Sequence, residues 1–306
     1  CRQALTSEPN LTMKKILFIA PSGALTHEAN LDRAAAFFSA RGWQVEASDN
    51  IWQKHERFAG DDDLRLHELH AAARSDAEVV MAVRGGYGLT RLLGRIDWNL
   101  MRTAKKIWVG HSDFTAFHLA LLAQTKAPSL AGPMACYDFG NEDVSPFTER
   151  HFWRLIKGDE VSFKVKASRQ PELAVKGRLW GGNLTVLSSL VGTPYLPQVR
   201  GGLLFLEDIH EHPYRIERML YQLELSGCLK QQRAVLLGDF SGYQLSAHDN
   251  GYDFGRMVAH LRERFKVPIL TGLPFGHCTD KLTLPVGAMA SVVSERGGYR
   301  LTFSRH

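Results

Sequence analysis

A chain of 306 residues is long enough for one large α/β domain or two medium ones. Its 37 lysines and arginines stand against 32 aspartates and glutamates, and the resulting net charge of +5 is scattered along the chain. With 44% hydrophobic and 23% charged residues the chain can bury a full core; it lacks the ~18-residue apolar run of a membrane span and the aromatic-interleaved basic stripe of a nucleic-acid groove.

Cys1 is not a translation start. Either the chain is a fragment with an ordinary start at Met13-Lys14-Lys15, the preferred reading, or Cys1 is lipid-modified after signal-peptide removal and Arg2–Thr12 is a tether. The other cysteines (Cys136, Cys228, Cys278) are widely spaced with no CxxC pair and read as buried or half-buried thiols, not as a zinc site or disulfide framework. Lys15–Ala20 reads as a strand ending in the loop Pro21-Ser22-Gly23, ahead of a helix around Leu31–Ala40 that Gly42 closes. Gln44–Ala47 is a short strand, and Asp61-Asp62-Asp63 caps a helix over Leu64–Ser75. Glu78–Val83 and Lys106–Val109 are continuously apolar, as strands buried on both faces of a parallel sheet must be. A helix over Ala116–Ala123 follows.

This first unit is expected over residues 13–145, a parallel sheet with helices on both faces. Residues 146–177 are irregular and read as a linker. Residues 178–306 then form a smaller α/β or mostly β domain. Within it, Gly181-Gly182-Asn183 reads as a turn inside Arg178–Leu190, leading into a helix. Gly202–Leu206 and Ala234–Phe240 are expected strands, Tyr214–Ser226 and Phe254–Phe265 helices, and Val286–Val293 and Arg300–Phe303 closing β segments.

Three places can carry chemistry. Gly110-His111-Ser112-Asp113 lies between a strand and a helix, where a serine hydroxyl is exposed at the carboxyl end of the sheet and the helix start offers free N–H groups to an oxyanion. The match to the G-x-S-x-G elbow is partial, and Ser112 as a plain helix cap stays open. Arg84-Gly85-Gly86-Tyr87-Gly88 also follows a strand. It is not a G-x-G-x-x-G dinucleotide loop, but the N–H of Gly86 can join that of Asp113 in an oxyanion hole; a turn without a ligand is the alternative. The third place is split. Glu207-Asp208 ends an apolar strand, and His277 sits in the loop Pro274-Phe275-Gly276-His277-Cys278. A serine needs a base to remove its proton, and the imidazole needs a carboxylate to fix its tautomer, so Ser112, Glu207 and His277 have the composition of a triad. Singly, each also reads as an ordinary loop or cap residue. His111 is too close to Ser112 in sequence to serve as its base, and His118 falls on the inner side of a helix. His67-Glu68-Leu69-His70 and His210-Glu211-His212 are not H-E-x-x-H, so no metal is expected.

Taken in order, Arg-Gly-Gly-Tyr-Gly at 84–88, Gly-His-Ser-Asp-Phe-Thr at 110–115, Gly-Gly-Asn-Leu at 181–184, Leu-Glu-Asp-Ile-x-Glu-x-Pro-Tyr-Arg at 206–215 and Gly-Leu-Pro-Phe-Gly-His at 272–277 resemble the LD-carboxypeptidase family of serine peptidases. The resemblance spans roughly Lys15 to Thr302. It implies a Rossmann-like N-terminal domain with a smaller C-terminal one, a Ser112–Glu207–His277 triad, and an oxyanion hole at Gly86 and Asp113. It also implies a homodimer without metal or cofactor. The implied substrate is the peptidoglycan stem tetrapeptide, cut at the L,D bond between meso-diaminopimelate and terminal D-Ala, with crosslinked peptides as a further substrate. Arg84, Gly85, Asn183, Glu211 and Arg215 are candidate contacts to its carboxylates and amine. The family's usual compartment is the cytoplasm; a periplasmic protein anchored through Cys1 is the alternative. Peptide-antibiotic (microcin-type) immunity and a non-catalytic small-ligand module remain the other functional readings.

Overall fold

Residues 14–305 are described by the computed structural model. The Cys1 anchor, the Arg2–Thr12 tether and the Met13 start lie outside them. In chain order the first elements are β1 (Lys15–Ile19), α1 (Glu28–Ser39), β2 (Gln44–Ala47), α2 (Asp62–Arg74), β3 (Val79–Ala82), α3 (Trp98–Thr103), β4 (Ile107–Gly110), α4 (Thr115–Thr125), β5 (Ser129–Ala131) and α5 (Pro146–Lys157). There follow β6 (Val161–Lys166), β7 (Ala174–Asn183), α6 (Leu184–Ser189), β8 (Gly202–Ile209), α7 (Pro213–Leu225), β9 (Gln232–Ser241), α8 (Phe254–Arg264), β10 (Ile269–Leu270), β11 (Leu284–Val286), β12 (Met289–Glu295) and β13 (Gly298–Phe303).

Two mixed sheets result. The first has the order β11-β5-β4-β3-β1-β2; β1 to β5 are parallel and β11 adds an antiparallel edge. Its central strands are apolar along their whole length because helices cover both faces, and every residue of β3 is buried. The expected Rossmann-like unit is therefore present. In a doubly wound sheet the ligand crevice lies beyond the carboxyl ends of the strands, where the order reverses. Here that point lies between β1 and β3, whose following loops touch through the Gly23 N–H donating to Gly85 O at 3.2 Å. The second sheet runs β10-β9-β8-β7-β12-β13-β6, parallel over its first four strands and antiparallel over the rest.

Several elements differ from the expectations. Residues 146–177 hold α5, β6 and the start of β7. Helix α5 is capped by the Ser145 hydroxyl, with Pro146 in its first turn and Gly158 in the left-handed conformation at its end. Its Phe152 packs edge-on against Phe38 and Phe139 of the first unit. The charged outer face (Glu149, Arg150, Arg154) is what made this stretch read as irregular. In β6 Val161, Phe163 and Val165 face inward while Ser162, Lys164 and Lys166 are exposed, which is the alternation of a half-exposed strand.

The Gly181-Gly182-Asn183 segment is not a turn but the end of β7, paired with Phe205, Leu206 and Glu207. Its glycines serve close approach. A β-carbon on Gly181 would meet Phe205 O, and one on Gly182 would stand 2.5 Å from Thr115 Oγ1 across the boundary between the two sheets. Strand β8 likewise runs past its apolar segment to Ile209, bulging between Leu206 and Asp208, so Glu207 lies inside a strand and is fully buried. Val286–Val293 is divided at Gly287: β11 joins the first sheet and β12 the second. The segment carrying His277 therefore crosses from one sheet to the other.

Candidate active site

Strand β4 ends at Gly110, and the chain turns sharply through His111 into a single 3-10 turn at Ser112–Phe114 ahead of α4. Ser112 has a φ of +59°, in the left-handed region that costs an L-residue with a β-carbon about 1–3 kcal/mol. The turn places Ser112 on the wall of a cavity beyond the end of the sheet. Beneath it, Asp113 is buried, and its carboxylate accepts the Ser22 hydroxyl at 2.6 Å and the Leu89 N–H at 3.0 Å. Burial raises the Asp113 carboxyl above its ordinary pKa, against the lowering effect of those two hydrogen bonds. One side chain thus ties together the loops after β1, β3 and β4.

The Arg84–Gly88 loop lies directly against the serine. The backbone N–H groups of Gly86 and Asp113 donate to no protein acceptor among the described residues. Two unclaimed donors beside the half-buried Ser112 hydroxyl can hold a developing oxyanion.

From the second sheet, β8 supplies Glu207. Its Oε2 accepts a hydrogen bond from His277 Nδ1 at 2.8 Å, and its Oε1 accepts one from Asn183 Nδ2 at 3.2 Å. The donation from Nδ1 leaves Nε2 of the ring as the basic nitrogen. Burial pulls His277 down, but the hydrogen bond and charge of Glu207 outweigh it, and its pKa is raised above the ordinary imidazole value. Asn183 is itself fixed: its Oδ1 caps α6 through Val186 N–H, and its Nδ2 also reaches Asp208 Oδ1 at 3.0 Å. Asp208 accepts from both the N–H and the hydroxyl of Thr185, each at 2.8 Å.

The loop bearing His277 is stitched to the first unit. The Ser145 hydroxyl donates to Asp280 Oδ1 at 2.6 Å, the Thr148 hydroxyl donates to Thr279 O at 2.9 Å, and Lys281 N–H donates to Thr148 Oγ1 at 2.9 Å. The buried Lys281 ammonium pairs with Asp138 Oδ1 at 2.7 Å. These contacts place Ser112 and His277 on the wall of one cavity of about 630 Å³. No hydrogen bond joins the two side chains in this state; serine–histidine bonds are often long before substrate binds.

Of the other sequence candidates, Arg84, Gly85 and Gly86 line this cavity. Arg84 donates from Nη1 to Ala24 O at 2.7 Å and lies over the Tyr137 ring. Asn183 does not line the cavity wall; it sits behind it, holding Glu207. Glu211 and Arg215 lie outside it too, in a pair at 3.7 Å at the start of α7. His111 is buried, and its Nδ1–H donates to Gly132 O at 2.9 Å. Burial, then the nearby Lys281 and His277, hold it well below the usual imidazole range. His118 is enclosed between Ser129 Oγ and Gly110 O, and burial pulls its pKa down to about 4. Among the described residues no cluster of His, Cys, Asp and Glu has the geometry to hold a metal ion, and no helix is long and apolar enough to cross a membrane. Lys281 and Asp138 escaped the sequence reading. The one signal was a lysine leading directly into the apolar segment Leu282–Val286, where a charge is out of place unless it is paired.

Residues 16–132 match the LD-carboxypeptidase N-terminal domain and residues 176–292 the LD-carboxypeptidase C-terminal domain. The probable murein peptide carboxypeptidase of Bacillus subtilis is 35% identical over 86% of this chain and 83% of its own length. The murein tetrapeptide carboxypeptidase of Pseudomonas aeruginosa is 29% identical over 92% of this chain and 94% of its own length. The crystal structure of muramoyltetrapeptide carboxypeptidase from Oxalobacter formigenes superposes with a TM-score of 0.90 at 46% identity, covering 95% of this chain and 98% of that one. The microcin C7 self immunity protein MccF, 20% identical with a TM-score of 0.87 over 99% of both chains, shares the fold. The chain belongs to the LD-carboxypeptidase family of serine peptidases.

Proposed function

We propose that the chain is a carboxypeptidase that cuts the L,D bond between meso-diaminopimelate and terminal D-Ala of peptidoglycan stem tetrapeptides, with Ser112 as nucleophile, His277 as base and Glu207 as its orienting acid. The observation that carries this reading is that His277, hydrogen-bonded at 2.8 Å to the buried Glu207, lines the same cavity as a serine on a strained turn. The Bacillus, Pseudomonas and Oxalobacter relatives support the substrate class.

His277 Nε2 takes the proton of Ser112 Oγ as the oxygen attacks the carbonyl of the L-centre of diaminopimelate. The negative charge moves onto the carbonyl oxygen, which the N–H groups of Gly86 and Asp113 hold, each contributing about 3 kcal/mol in comparable sites. The protonated His277, stabilised by Glu207, gives its proton to the departing D-Ala amine as the C–N bond breaks. Water, deprotonated by His277, then attacks the acyl-enzyme and releases the tripeptide and free Ser112. Asn183 orients Glu207 from behind; it does not touch the substrate.

The same reading takes the protein as a homodimer working in the cytoplasm, as its family does; sedimentation and cell fractionation check those two points. The decisive experiment is mass spectrometry of a muropeptide mixture before and after exposure to wild type and Ser112→Ala. Loss of one D-Ala from tetrapeptides with wild type, and no loss with the variant, is expected. Full D-Ala release by Ser112→Ala would overturn the nucleophile assignment. Cleavage confined to peptidyl-nucleotide conjugates would favour the antibiotic-immunity reading.

A further inference from the structure

A carboxypeptidase must recognise the free carboxylate of the residue it removes, and a buried carboxylate needs a cation or several donors. Among the described residues lining the cavity, the side chains with permanent positive charge are those of Arg84 and Lys281. Lys281 is only 3% exposed, and one Asp138 oxygen holds its ammonium at 2.7 Å while the other accepts Met134 N–H at 2.7 Å. An ammonium has three N–H donors, and this one makes no other hydrogen bond among the described residues. Buried ion pairs are poor stabilisers, because desolvation offsets most of the attraction, so folding stability is a weak reason for a lysine in a cavity wall.

The position is suited to the leaving side. His277 delivers its proton to the departing amine, and the carboxylate of that residue is one carbon away from the amine. The anchor must therefore lie beside His277. Lys281 is four residues on in the same loop, fixed by Thr148 through its own N–H, and its charge is felt at both His277 and His111. Arg84 lies instead next to the Gly85-Gly86 loop, where the acyl oxygen would be held, with Nη1 already donating to Ala24 O.

Resting on the reading above, we propose that Lys281 binds the terminal carboxylate of the departing D-residue, with Asp138 aiming its ammonium into the cavity. The anchor makes the site an exopeptidase by preference, since a crosslinked peptide presents an amide where the carboxylate should be.

The test compares kcat/KM for a synthetic stem tetrapeptide with a free carboxyl terminus against the same peptide ending in a carboxamide. A charge-assisted contact is expected to give wild type a roughly 10- to 100-fold preference for the acid. In the double variant Lys281→Met/Asp138→Asn, which removes both charges together, that preference is expected to fall to within about threefold, while Arg84→Met keeps it. An unchanged preference in the double variant, or its disappearance in Arg84→Met, overturns the anchor. If the double variant does not fold, Asp138→Asn alone decides. It keeps one oxygen for the ammonium, at the expense of the acceptor that Met134 N–H uses, and removes the competing charge, so the acid preference should rise above wild type; an equal or lower preference sinks the proposal. A wild type that releases nothing from either peptide defeats the carboxypeptidase reading itself, and the anchor with it.

Discussion

A β-carbon on Gly85 would stand 2.7 Å from Ser112 Cβ and 2.8 Å from Ser112 Oγ. The two residues lie on the loops after adjacent strands, β3 and β4, and the glycine leaves the space that the strained serine occupies. Gly85→Ala must push the serine or the loop aside, in a region further constrained by Asp113 holding Leu89 N–H. Overpacking of this kind costs about 1–3 kcal/mol. A displacement of the nucleophile by an ångström costs on the order of 100-fold in rate. Thermal unfolding and kcat on the tetrapeptide measure the two effects; an Ala variant with wild-type kcat would show that Ser112 does not depend on the close approach.

His277 titrates above the ordinary 6.5 because Glu207 outweighs the burial that works against its charge. The base form is required for attack, so kcat/KM should rise with pH through an inflection above 6.5. In Glu207→Gln burial and Lys281 still lower the ring, while the raising charge of Glu207 is gone and only the smaller one of Asp208 remains. The inflection is then expected to move down, with kcat reduced by less than in Ser112→Ala or His277→Ala. The same shift affects stability. A group whose folded pKa is raised adds stability that is fully present below about 6.5 and is lost as pH rises through the folded value. Chemical denaturation across that range should show a slope in wild type that Glu207→Gln lacks.

Asn183 gives its amide to two buried carboxylates, Glu207 and Asp208. Asn183→Leu removes that donor from both, at an expected cost of about 1–3 kcal/mol or more because the acceptors are charged. Asn183→Asp is more instructive. It adds a third carboxylate to the cluster, so its stability deficit relative to wild type should be largest at pH 7.5 and shrink as the pH falls to 5. A pH-independent deficit would mean that packing, not charge, explains the position. Activity should fall in both variants, since Glu207 loses the contact that sets its orientation.

His118 lies inside the first unit between Ser129 Oγ and Gly110 O, and burial pulls its pKa down to about 4. The unfolded chain takes up the proton first as pH falls, so stability should drop between about 6.5 and about 4 and level off below. For one histidine that drop amounts to roughly 3 kcal/mol. Urea midpoints at pH 7.5 and 4.5 give the wild-type difference. His118→Gln should show a smaller one, whatever its absolute stability, and an equal difference would assign the acid sensitivity to other groups, His111 foremost.

The legible parts of the chain were those where local chemistry and the fold agree. The apolar strands of the first unit, the Asp61 cap on α2 and the serine corner after β4 follow from hydrophobic periodicity and turn residues, and the boundaries of β2 were reproduced in full. Helix α5 and strand β6 were not legible, because half of each faces solvent and charged residues interrupt the pattern. Glu207 was expected at a strand end and lies inside β8. Its burial inside β8 depends on β9 pairing beyond the apolar segment, which no local signal announces.

Sequence alone determined which residue types were available for chemistry and near which strand ends they lie, since both are properties of short segments. Tertiary structure alone decided what they do together. The imidazole reaches the serine's cavity because the segment after His277 returns to the first sheet as β11, and because Ser145, Thr148 and Asp138 fasten its loop there. It likewise moved Asn183 from the substrate to the back of Glu207 and put Lys281 into the wall in place of Arg215. Each of those outcomes depends on contacts between residues far apart in the chain, whose closeness is set by sheet order and not by any local preference.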